Sequence, residues 1–212
     1  SSSLLATVIG TFAALGLHHM RSKVAKGAIT SVTNVPMMNP DIVTGVSMML
    51  LFVAVAGIIK ANNFMGFGTM LVAHTTFNLP YVLLSVTPRF AQLDKSLSEA
   101  AQDLGCTPAK AFFSVELPEI IPGIVSGLML AFTMSLDDFV ISHFVSSPTF
   151  QTLPLYVYNQ TVHNVKFSMY ALCTIMIIAI LLLLIAVNVA GSMGERRALK
   201  KARGNALKGG VR

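Results

Sequence analysis

Ser96-Leu97-Ser98-Glu99-Ala100-Ala101-Gln102-Asp103-Leu104-Gly105 lies in a polar excursion, residues 87–119, set between long apolar runs. Ser96 to Glu99 reads as a capping box, the serine hydroxyl and the glutamate carboxylate satisfying free amides of a first helical turn. Leu97, Ala100, Ala101 and Leu104 recur at i, i+3, i+4 and i+7, which gives one apolar face with Gln102 and Asp103 off it. Gly105 suits the left-handed conformation that stops a helix. Thr107-Pro108 then caps a second helix, closed at Leu117-Pro118. A helix of about eight residues does not persist alone in water, so this one needs a surface, and its alanines permit close approach. Spacing by itself is also what a connector lying on the protein's own inner face would show.

Outward from this stretch the chain is apolar. Of 212 residues, 54% are hydrophobic and 11% charged, where soluble domains carry about 25% charged residues. A bilayer-spanning helix takes roughly 20 mostly apolar residues. Five runs fit: 4–17, 36–59, 68–86, 120–140 and 169–189. In the second, Asn39 can cap, Pro40 suits a first turn and Asp41 favours the positive helix end. The expected fold is an all-α membrane protein with five spans.

Charge sets the expected direction. With the amino end outside, inner loops hold Arg21, Lys23 and Lys26, then Arg89, Lys95 and Lys110, and the tail 191–212 holds seven more. Thirteen of the fifteen Lys and Arg thus face the cytoplasm, against Lys60 and Lys166 outside, as the positive-inside rule requires. The chain starts at Ser1 without a signal-peptide pattern, so a further helix entering from the cytoplasm is expected ahead of it. The net charge of +6 does not form a stripe interleaved with aromatics, which argues against nucleic acid. Cys106 and Cys173 are poor candidates for a disulfide, and no metal-ligand spacing occurs. His18, His19, His74, His143 and His163 are scattered and read as loop or packing residues.

Glu99-Ala100-Ala101, three residues, Gly105, nine residues, Val115, one residue, Leu117-Pro118 resembles the EAA signature of binding-protein-dependent ABC permeases. Val115 stands where the family usually has Ile. The resemblance extends over essentially the whole chain. It implies that residues 1–212 are the transmembrane permease domain of a type I ABC importer, in the bacterial inner membrane with a cytoplasmic carboxyl end. Loop 88–118 would couple to an ATPase through Glu99, Ala100, Ala101, Gly105, Leu117 and Pro118. The implied partners are a pair of cytoplasmic ATP-binding subunits, a second permease subunit, an extracytoplasmic substrate-binding protein and membrane lipid. The chain has no G-x-x-x-x-G-K-[ST] loop, so ATP and magnesium would be used by the partner, and this chain is expected to be neither an enzyme nor the holder of a cofactor or metal.

Ser135-Leu136-Asp137-Asp138-Phe139-Val140 carries the one adjacent acidic pair. At about 1.5 Å per residue from Pro118, Asp137 falls roughly 28 Å along a helix, near the outer edge of the hydrocarbon. Successive residues point about 100° apart, so the two carboxylates do not share a face, whereas Ser135, Asp138 and Ser142 form a stripe. Ionisable groups in a membrane line a pathway or pair with another charge. No basic residue is read in the spans as their partner, which favours a pathway for a cationic solute; a wet helix end is the plain alternative. Residues 135–147, with Met37-Met38-Asn39-Pro40-Asp41-Ile42-Val43, resemble spermidine/putrescine permeases of the PotC type, which implies polyamine cargo and Asp137 and Asp138 in the pathway. Another small solute remains open. A secondary transporter would show repeat-related broken helices, and a membrane hydrolase a G-x-S-x-G or H-E-x-x-H motif; neither pattern is found here. Asn78 and Pro80 mark either a pathway bend or a packed kink, and Gly123, Ser126 and Gly127 permit close helix approach.

Overall fold

All five apolar runs are helical in the computed structural model, which describes residues 1–20, 22–60, 64–148, 150–163 and 167–185. The spans are α1 (Ser2–His19), α3 (Asp41–Ile59), α4 (Phe67–Gln92), the helix Pro108–Asp137, and α10 (Phe167–Ile185). Between them lie α2 (Lys23–Met38), α5 (Lys95–Asp103), α8 (Val140–Val145) and α9 (Leu153–His163). Helix is the solution hydrocarbon imposes on an open chain, because each backbone N–H and C=O must find a partner within its own segment. Residues 186–189 of the last run and the tail 191–212 fall outside the described residues.

Two expected boundaries move. The stretch ahead of residue 36, read as a loop, contains α2, whose first turn is capped by the Ser22 hydroxyl accepting from the Ala25 N–H at 3.3 Å. The second span begins at Asp41, because Pro40 drives the residue before it out of the helical region; Asn39 is extended and ends α2 instead of capping α3. The third span runs on through Pro88 to Gln92, so the polar excursion starts at Leu93 and not at residue 88.

Leu117-Pro118 does not close a helix. Within Pro108–Asp137, α6 (Pro108–Ala111) passes through a wide π turn (Phe112–Glu116) into α7 (Leu117–Asp137). Leu117 N–H donates to the Phe112 carbonyl, five residues back. Proline has no N–H for the usual bond and its ring presses on the preceding turn; widening the turn just before Pro118 makes that room.

The chain divides into two units, Ser1–Asn159 and Gln160–Arg212. In the first, α4 is central. One core group joins α1, α4 and α7 through Ala6, Ala14, Val82, Val86, Ile120 and Ala131; a second joins α3, α4 and α8 through Phe52, Ala73, Phe77, Ile141 and Val145. Small residues set the distances. A Cβ on Gly123 would stand 2.5 Å from Arg89 Cγ and 3.3 Å from the Ser85 carbonyl, while one on Gly127 would meet Ser85 and Val82 at 3.4 Å. The outer faces stay apolar, with Leu50 59% and Leu51 55% exposed on α3. In α10, within the second unit, Ile175 and Leu182 are likewise open. Such surface belongs against lipid and not water.

Gly123→Ala should lower the apparent melting temperature of the purified protein, an overpacking cost of about 1–3 kcal/mol, whereas Gly127→Ala should melt within a degree or so of the parent. Equal melting of all three would contradict the crossing described.

Candidate functional site

Two polar regions stand at opposite ends of α7. At its beginning is the segment 93–116. Asp94, and not Ser96, caps α5: the Ser96 N–H donates to Asp94 Oδ1 at 3.0 Å. The carboxylate two residues ahead takes the orphan amide first, which leaves Ser96 inside the opening turn and the expected Ser96–Glu99 box unformed. Hydrogen bonds from the Ser96 hydroxyl and amide hold the Asp94 carboxyl below its ordinary range. Gly105 has φ +89° and terminates the helix as expected, with its N–H on the Gln102 carbonyl and that of Cys106 on Ala101. Thr107 accepts from the Lys110 N–H, and Pro108 occupies the first turn of α6.

The apolar stripe of α5 has no cover of its own. Leu97 is 50% exposed and Leu104 87%. Glu99, Ala100 and Gly105 are exposed, Ala101 and Leu117 half-buried, and Pro118 exposed. Among the described residues, α5 rests chiefly on α6 and the π turn that follow it. The helix therefore presents Leu97, Glu99, Ala100 and Leu104 outward, away from the spans.

At the other end of α7 the acidic pair separates. α7 stops at Asp137, and Asp138 takes an extended conformation. Its carboxylate then caps α8, accepting from the Ile141 N–H at 3.1 Å and the Ser142 N–H at 2.9 Å. The Ser142 hydroxyl lies 2.9 Å from Asp138 Oδ2. His74, from the middle of α4, completes the arrangement: its Nε2 is 3.3 Å from Asp138 Oδ2 and 3.0 Å from Ser142 Oγ, and its Nδ1 is 3.1 Å from Ser135 Oγ. Ser135 reaches Ser2 of α1 at 3.1 Å. Side chains of His74 and Asp138 are 5% and 6% exposed. The stripe Ser135, Asp138, Ser142 thus exists, though across a broken helix and turned inward.

His74 overturns the expectation that no basic residue in the spans meets the acidic pair. Sequence offered only a scattered histidine, 61 residues from Ser135; two hydroxyls and a carboxylate gather on it because α7 and α8 both pack on α4. His18 stacks on Phe90, and His143 lies among Phe139, Phe144 and Tyr158. Asn78 and Pro80 are fully buried and not open to a pathway, with both polar atoms of the Asn78 amide lacking a partner among the described residues.

Asp137 is exposed. It continues an open face of α7 that also carries Ser126 and Thr133, whose hydroxyls bond back to the carbonyls of Pro122 and Met129. Along with the exposed Leu130, this face offers two hydroxyls and one carboxylate. Such a face suits a wet passage and a cationic visitor more than lipid.

The family described as "Binding-protein-dependent transport system inner membrane component" matches residues 6–196. The putrescine transport system permease protein PotI of Escherichia coli K12 is 41% identical over 175 residues, 82% of this chain and 62% of that protein. The spermidine/putrescine transport system permease protein PotC of Haemophilus influenzae is 39% identical over 184 residues, 87% of this chain and 69% of that one. The chain therefore spans somewhat under two thirds of the PotI relative. Among solved structures, the MetNI methionine ABC transporter in inward-facing form superposes with a TM-score of 0.66 at 19% identity, covering 90% of this chain and 86% of that one. An amino acid ABC transporter gives 0.55 at 23% identity, covering 92% and 88%. Both share the fold.

The Asp94 cap has a pH signature. Its folded pKa is depressed, so its contribution is present above the ordinary carboxylate value near pH 4 and is lost as pH falls through the lower folded value. Amide exchange over residues 96–99, corrected for intrinsic rate, should accelerate below that range, and Asp94→Ala should exchange fast at every pH. Flat protection across the range would count against the cap.

Proposed function

Because the chain belongs to the family of binding-protein-dependent transport system inner membrane components, we propose that it is one permease subunit of an ATP-driven importer in the bacterial inner membrane, with putrescine and spermidine as its cargo class. The cargo of the relatives named above supports this class. So does Asp137, since an open carboxylate attracts an ammonium group and repels sulfate or phosphate. Asp137 meets the cargo at the mouth, and Asp138 holds the mouth in shape.

The observation that carries the coupling is α5, a capped helix with Leu97 and Leu104 uncovered and the signature residues Glu99, Ala100, Ala101 and Gly105 beside them. Two cytoplasmic ATP-binding subunits, using ATP and magnesium, take this helix into a cleft. Their closure displaces it, and the unbroken helix Pro108–Asp137, entered through Leu117 and Pro118, conveys the displacement to the opposite mouth. A second permease subunit lines the other side of the passage, and an extracytoplasmic binding protein delivers the cargo. The distribution of Lys and Arg supports the direction, with α5 and the tail 191–212 in the cytoplasm and Asp137 outside.

Glu99→Lys changes an exposed side chain, and Gly105→Trp meets no neighbouring atom but strains the left-handed backbone that ends α5. Both should abolish polyamine uptake by the assembled transporter while insertion into the membrane proceeds; normal uptake in both would sink the coupling role. Asp137→Asn should raise the half-saturating polyamine concentration about tenfold, a loss near 1.4 kcal/mol. Unaltered uptake kinetics in that variant would remove Asp137 from the pathway. Affinity purification of the native protein should bring down an ATPase, which an ion-driven transporter would not do.

A further inference from the structure

The corner between α7 and α8 is assembled from local bonds. The Asp138 carboxylate holds two free amides in the first turn of α8, and the Ser142 hydroxyl lies 3.1 Å from the Asp138 carbonyl. These contacts shape the corner but do not orient it against the rest of the bundle. One ring does that. Through Nδ1, His74 holds Ser135, in the last turn of α7; through Nε2 it holds Asp138 and Ser142, just beyond the break. Both sides of the corner are therefore fixed to α4 by a single rigid imidazole. The carboxylate only accepts hydrogen bonds, so the ring proton sits on Nε2, and in the neutral ring Nδ1 accepts from the Ser135 hydroxyl.

The position of this ring bears on movement. Helix Pro108–Asp137 runs from the coupling segment to the corner. A push received near α5 thus arrives at the far end of α7, where His74 fastens it to α4. We infer that His74 is a positioning residue for transport: it fixes the α7–α8 corner to α4, so that displacement of the coupling segment moves the mouth instead of being lost as slack. The inference rests on the transporter reading for its activity measurement, but not for its structural one.

The test uses the complete transporter in proteoliposomes, the permease pair with its ATPases and binding protein. His74→Ala leaves the Asp138 and Ser135 groups without their partner. His74→Gln keeps one donor and one acceptor on a side chain of similar reach. His74→Ala should lower polyamine moved per ATP hydrolysed about tenfold, in keeping with loss of a charge-assisted hydrogen bond, with ATP hydrolysis itself largely retained. Amide exchange over residues 139–145 should rise in the same variant. His74→Gln should recover most of both. A variant that merely fails to fold would lose hydrolysis and transport together, and Gln would not rescue it; that result overturns the inference. So would a normal coupling ratio with unchanged exchange in His74→Ala. If the parent protein moves no polyamine, the cargo assignment fails, and the exchange measurement with its Gln rescue still decides the role of His74.

Discussion

Where α7 crosses α4 at Gly123, the two helices approach more closely than a side chain at that position would allow, and at Gly127 a Cβ would only just fit. In a membrane, lipid tails are as apolar as leucine, so helices associate through close packing and a few interhelical hydrogen bonds. The crossing supplies the first and His74 the second. Gly10 repeats the device on α1, where an added Cβ would meet Val82 at 2.7 Å. With α1 and α7 both seated on α4, Ser2 and His74 are each brought within hydrogen-bonding distance of Ser135. The cluster is a consequence of the packing.

That arrangement divides the work of two adjacent carboxylates. One turn of backbone separates their environments: Asp137 ends a helix on an open face, and Asp138 begins the next with its charge directed inward. A buried carboxylate is tolerable only when its lone pairs are met, and here two amides, a hydroxyl and an imidazole meet them. The neighbouring carboxylate has no such company among the described residues and stays exposed. Two adjacent residues of one type thus meet opposite environments, one satisfied inside the fold and one open.

The opposite end of α7 follows a different logic. The stripe of α5 is apolar where the described residues leave Leu97 and Leu104 open, and the helix is too short to stand by its own hydrogen bonds. Its cap at Asp94, its stop at Gly105 and the Thr107-Pro108 start of α6 make it stiff without burying it. The π turn before Pro118 lets the chain enter α7 without a break. Stiffness from α6 into α7 together with an uncovered α5 is what a segment that transmits rigid-body motion needs.

Local rules made much of this legible in the sequence. The five spans follow from length and apolarity, the Gly105 stop from its backbone freedom, and the Thr107-Pro108 start from capping chemistry, because each depends on neighbours a few residues away. The signature around Glu99 is likewise local, and it fixed the family before any contact was known. Three features needed the folded chain. The expected box gave way to an Asp94 cap because the Asp94 carboxylate, and not that of Glu99, takes the Ser96 amide. α2 was obscured by the charges that mark it as a loop. The pairing of His74 with Asp138 joins residues far apart in sequence, and neither spacing nor composition carries that information; only the docking of α7 and α8 on α4 turns a scattered histidine into the hub of the corner.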